Sequence, residues 1–218
     1  MCGARRQLGL DDERKVPMTW FPAGYFLKQR LTRPGWKSPH EQYPGAGFPC
    51  GPPVEEICSV SRCIAGVPQG WHHVDNRNWH GFLDDPGAAW SCLEDNDSSA
   101  FALYFYRLFE SRFVAGKMEP WPEPGFATEI VPPSPSFVLL GYDAALSDQY
   151  ALGCSPLSCN GQAGLECLPP VNRYCLVNSA AEGIELARRF SINQPEPGAY
   201  CAVEVWREQS VGDHRHVD

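Results

Sequence analysis

Ten cysteines and six histidines are the residues of this chain best suited to chemistry. Cys58-Ser59-x-x-x-Cys63 recurs as Cys154-Ser155-x-x-x-Cys159, 96 residues later. A C-x4-C spacing lies within the range of zinc-ligand pairs, and thiolate with imidazole selects zinc over magnesium or calcium. Brought together, Cys58, Cys63, Cys154 and Cys159 would form a closed tetrahedral structural zinc site. Cys50, Cys167, Cys175, His72, His73 and His80 are further donors within reach in sequence. Two other readings stand beside the metal. Each loop can be a tight turn whose serine caps backbone groups while its cysteines fill small pockets, or the cysteines can pair as disulfides. Cys92 and Cys201 have apolar neighbours and are expected in the core.

The most chemically loaded stretch is Gly70-Trp71-His72-His73-Val74-Asp75, followed by Trp79-His80-Gly81 and Asp84-Asp85. These side chains suit metal ligation or proton transfer. No HExxH spacing occurs among them, and a polar surface loop with stacking tryptophans explains the same residues. A nucleophilic Cys154 or Cys159 with His72, His73 or His80 as base would need a thiol pKa lowered by its neighbours. No GxxxxGK[ST], GxGxxG or GxSxG is present, so nucleotide chemistry has no support and no catalytic residue is assigned.

The elements that would position these groups are short. Gly24–Leu31 reads as a strand. Asp85 caps a helix over Pro86–Leu93, with proline at its first position where a missing N–H costs nothing. Phe101–Phe109 fits either period, and Phe137–Tyr142 reads as a strand. Ser179 with Glu182 three residues on is a capping box that opens a helix to Phe190, with Arg188 and Arg189 in its last turns. Tyr200–Arg207 alternates as a strand.

The order strand, cysteine loop, helix, strand is thus written twice. Asn76-Arg77 and Asn172-Arg173 recur at the cysteine offset, and the match assigns Phe101–Phe109 to a strand. The expected fold is α+β: two tandem pseudo-repeats forming a mainly antiparallel sheet, with few short helices and long Pro/Gly-rich loops. Residues 1–17 read as a disordered basic arm, with Met18 as an alternative start. Residues 18–117 form the first unit, 118–136 a Pro-rich linker, 137–210 the second unit and 211–218 a tail.

The chain has 218 residues, 43% of them hydrophobic, enough for a core. No apolar run approaches the length of a membrane-spanning helix, and the N-terminal residues lack a secretory signal pattern. The cysteines are then expected to be reduced and the chain cytoplasmic. The net charge is −8. Residues 1–117 are balanced, and residues 118–218 carry the whole excess, 13 acidic against 5 basic. Such a surface disfavours nucleic acid and suits a basic protein partner. Trp36, Trp71, Trp79 and Trp121 are read as exposed loop aromatics of the kind enriched at interfaces. The expected function is a non-catalytic protein-binding module, inhibitor- or immunity-like. The alternative is a cysteine- or zinc-dependent enzyme with its site between the two units. The oligomeric state is not legible.

Overall fold

The computed structural model describes residues 18–32, 54–61, 66–68, 70–71, 77–78, 80–93, 98–122, 129–147, 152–158, 170–193 and 197–209. It is α+β, mainly an antiparallel sheet with few helices. The strands are β1 (Trp20–Gln29), β2 (Phe101–Phe109), β3 (Ser111–Val114), β4 (Lys117–Pro120), β5 (Phe137–Ser147) and β6 (Ala199–Glu208). The helices are α1 (Pro86–Ser91) and α2 (Ala180–Asn193). Strand β6 lies centrally, between β2 and β5; β1 pairs with β2, β4 with β3, and β3 touches β6 at Phe113–Tyr200.

Both helix starts form as their sequences direct. The Asp85 carboxylate accepts from the Ala88 N–H at 2.9 Å. The Ser179 N–H donates to Glu182 Oε2 at 2.9 Å, and the Glu182 N–H donates back to Ser179 Oγ at 3.3 Å. Helix α2 buries Gly183, Leu186, Ala187, Phe190 and Ser191, one stripe at helical spacing. It continues to Asn193, so Arg188 and Arg189 stand before its last turn rather than in it.

Three elements differ from the sequence reading. Strand β1 begins at Trp20, because a bulge between Pro22 and Gly24 lets the chain pass a proline that looks like a breaker. Strand β5 runs on to Ser147 through a similar bulge between Leu139 and Gly141. Strand β4 starts at the last residue of the first unit and runs into the span read as linker. It closes a hairpin on Ala115 and Gly116, whose φ angles of 47° and 81° are those of a two-residue primed turn. Residues near 131 also lie against the sheet: the Val131 N–H donates to Asp84 O, and Tyr25 Oη donates to Val131 O. The basic arm 1–17 and the tail 211–218 lie outside the described residues.

The β2–β6 register is centred on Tyr106–Val205, with Tyr104 opposite Arg207 and Leu108 opposite Val203. About that centre the local geometry is written twice. Gly24 and Gly141 both have positive φ, 120° and 149°, and a Cβ on either would meet a carbonyl at 2.7 Å, that of Leu83 or of Val177. Asn78 Nδ2 donates to Ala23 O at 2.8 Å, and Asn172 Nδ2 donates to Leu140 O at 2.9 Å. Each asparagine Oδ1 accepts two backbone N–H groups of its own loop. The loops then cover the sheet edges, through Tyr25–Leu83 and Tyr142–Val177 bridges. Asn78 and Asn172 thus make the same set of bonds, and Asn76 lies outside the described residues.

Candidate functional site

Strand alternation divides the sheet into two faces. On one lie Lys28, Tyr104, Tyr106, Asp143 and Arg207, covered by the loops that carry the cysteines. On the other lie Arg107, Tyr142, Glu204, Trp206 and Glu208, flanked by the two helices: α1 through Trp90 Nε1 donating to Glu208, α2 through Gly183 packed on Tyr142.

The loop-covered face holds a buried polar joint. Lys28 is 1% exposed; its ammonium donates to Ser59 O and lies 4.4 Å from the Tyr104 ring centre. Burial pushes Lys28 down to about 8, against the raising pull of Cys58, Asp143 and Glu56. Glu56 accepts from Arg30 Nε and Nη2 at 3.2 and 3.0 Å and from Arg207 Nη1 at 2.6 Å. Burial alone would raise Glu56, but the Arg30 bonds and the Arg207 charge outweigh it and hold the carboxyl below its usual range. Asp143 accepts from the Val60 and Ala144 N–H groups and from Ser155 Oγ. Its pKa is nonetheless raised by burial.

The two cysteine loops do meet here, and they meet through serines. Ser59 Oγ lies 2.5 Å from Ser158 Oγ, Ser158 Oγ donates to Ser61 Oγ at 3.0 Å, and the Ser155 N–H donates to Ser61 Oγ at 2.6 Å. The thiols stay apart in character. Cys58 is buried and accepts from Tyr104 Oη at 3.6 Å; burial and Glu56 push it up to about 12. Cys154 is half-buried, and its carbonyl accepts the Leu146 N–H. Cys63 and Cys159 lie outside the described residues, as do Cys50, Cys167, His72, His73 and Asp75. Among the described residues no group of three or more His, Cys, Asp or Glu could hold a metal ion.

The other singled-out residues have structural partners. His80 is buried with its ring 5.5 Å from that of Trp121. Asp84 accepts from Asn78, and Asp85 is the helix cap. Cys92 and Cys201 are core residues, as expected. Cys175 donates to Leu157 O and is pushed up to about 12 by burial, with Asp143 and Cys58 adding to it. Trp71, read as an exposed loop aromatic, is instead core: its ring meets Phe26 edge-on at 4.8 Å. Trp121 is half-buried, and its indole N–H donates to Phe109 O at 2.9 Å; Trp36 and Trp79 lie outside the described residues.

No protein-family model, curated protein or solved structure matches this chain.

Other half-exposed aromatics are gathered on the sheet itself. On the helix-flanked face Trp20, Tyr142 and Trp206 surround an Arg107–Glu204 pair. The Trp20 ring lies 5.6 Å from Tyr142 and 5.7 Å from Phe109. Arg107 Nη1 donates to Glu204 Oε2 at 3.0 Å, and its Nη2 donates to Trp20 O at 2.9 Å. Trp206 Nε1 donates to the same Glu204 oxygen at 3.1 Å. Leu139, opposite Trp206, is 39% exposed. Sequence reasoning missed this patch because its members come from four strands. The signal was present only as a charged residue inside each of two largely apolar strands, Arg107 and Glu204.

Proposed function

We propose that this chain is a non-catalytic protein-binding module, built from two tandem copies of one strand–loop–helix–strand unit, that engages a partner through the patch between its helices. The paired asparagine loops, paired glycine bulges and central β2–β6 register support the duplication. The observation that carries the binding reading is the patch itself. Tryptophan, tyrosine and arginine, the side chains that dominate interface energetics, are gathered half-exposed on one sheet face beside an exposed leucine.

The polar joint supports the same reading from the other side. A thiol nucleophile needs its pKa lowered, whereas Cys58 and Cys175 are raised to about 12. The serines, Lys28 and Asp143 bond to one another and to backbone, which is the pattern of a satisfied interior network. Free thiols at the buried Cys58, Cys92, Cys175 and Cys201 favour a reducing compartment, the cytoplasm. The acidic excess of residues 118–218 favours a basic partner. An inhibitor- or immunity-like protein has this combination of rigid fold, acidic charge and aromatic patch.

Affinity capture with the full chain and with Leu139→Glu, at low and moderate salt, tests the proposal. The wild type should retain a stoichiometric basic protein that the variant loses. Identical captures by both, or none by either, would contradict it.

A further inference from the structure

The partner's anchor can be read from Glu204. This residue is 6% exposed, yet its carboxylate is only half used. Arg107 and Trp206 both donate to Oε2, and among the described residues no group donates to Oε1. Tyr142, directly across the β5–β6 pairing, likewise makes no hydroxyl bond among the described residues. The free carboxylate oxygen is open to an incoming group, and a charge-assisted donor makes the strongest hydrogen bond it can accept.

The same chain contains a completed version of this arrangement. Glu56 carries two guanidiniums, Arg30 and Arg207, with Tyr104 Oη donating to it at 3.4 Å and the Tyr174 ring 5.5 Å from Arg207. Glu204 has the first guanidinium, a tyrosine opposite and tryptophan rings beside it. What it lacks is the second cation. We infer that a protein partner supplies it: an arginine side chain that enters between Trp206 and Tyr142, donates to Glu204 Oε1 and stacks on the aromatic rings. This rests on the protein-binding reading and names the chemistry of its central contact. It also agrees in sign with the acidic excess of the chain.

Titration of the full chain with Nα-acetyl-L-argininamide at constant ionic strength tests it, read by the indole N–H resonances of the tryptophans. The Trp206 resonance should shift saturably. In Glu204→Gln, whose fold is checked by its melting temperature and remaining resonances, the affinity should fall about tenfold or more. Absence of a saturable shift, an equal response in Glu204→Gln, or an equal response to Nα-acetyl-L-lysinamide would each overturn the arginine assignment. Capture experiments separate this from the wider reading. A partner lost by Leu139→Glu but held undiminished by Glu204→Gln leaves the binding module standing and removes the arginine anchor.

Discussion

Glu56 is the residue on which the interior of this protein turns. It lies on a loop, yet it joins Arg30 at the end of β1 to Arg207 at the end of β6. A buried ion pair adds little over a packed apolar contact, but removing one partner leaves uncompensated charge. Glu56→Gln should therefore destabilise the fold by about 3–5 kcal/mol, measured by denaturant unfolding. Lys28 beside it makes a prediction in pH. Its folded pKa of about 8 lies below the ordinary 10.5, so the folded state releases this proton first. Stability from this group rises as pH climbs from about 8 to 10.5, and the cost of the buried charge is fully present below 8. Lys28→Met should gain most over the wild type near pH 7, and that advantage should shrink by about 3 kcal/mol toward pH 11, as the proton linkage of this one group dictates. An advantage that is flat with pH would show that folding leaves the Lys28 pKa unchanged. None of this was legible beforehand. A lysine or glutamate in an apolar run carries no mark of its partner, and Glu56 and Arg207 are 151 residues apart.

At the scale of elements the sequence was far more readable, because caps and alternation are local. Asp85-Pro86 and Ser179-x-x-Glu182 announced both helices, and Ser179→Ala should cost about 1 kcal/mol in thermal unfolding. The β3–β4 hairpin was hidden by its turn. Ala115-Gly116 is a poor match to the Asn-Gly signature, yet Ala115 adopts φ 47°. Ala115→Gly should relieve that strain and raise stability by about 0.5–1 kcal/mol, a melting-temperature gain of a few degrees at most. The bulges were equally silent. Pro22 hid the start of β1, and the positive φ angles together with the carbonyls of Leu83 and Val177 explain why Gly24 and Gly141 must be glycine. An alanine at Gly141 should destabilise by about 2–4 kcal/mol, since backbone and not a flexible side chain occupies the space.

The described sheet places β2 and β6 at its middle, with polar contacts on one face and an aromatic patch on the other. Its charge is distributed unlike its fold. Of the thirteen acidic residues after 117, Asp143 and Glu204 are buried in bonded positions, and six others lie outside the described residues. Long-range attraction of the proposed basic partner would draw on the wider acidic charge of residues 118–218, while the proposed contact lies on the sheet. This division predicts that added salt slows association more than it speeds dissociation. The loops that carry Cys58 and Cys154 meet, and serines make the joint. Which tryptophans face outward depended on register across four strands, which no local pattern encodes. The most direct measurement is fluorine NMR of the 5-fluorotryptophan-labelled chain with and without its captured partner. Binding through the patch predicts changes at Trp20 and Trp206 with the core Trp71 unmoved. Unchanged Trp20 and Trp206 signals in a complex that has formed would contradict it.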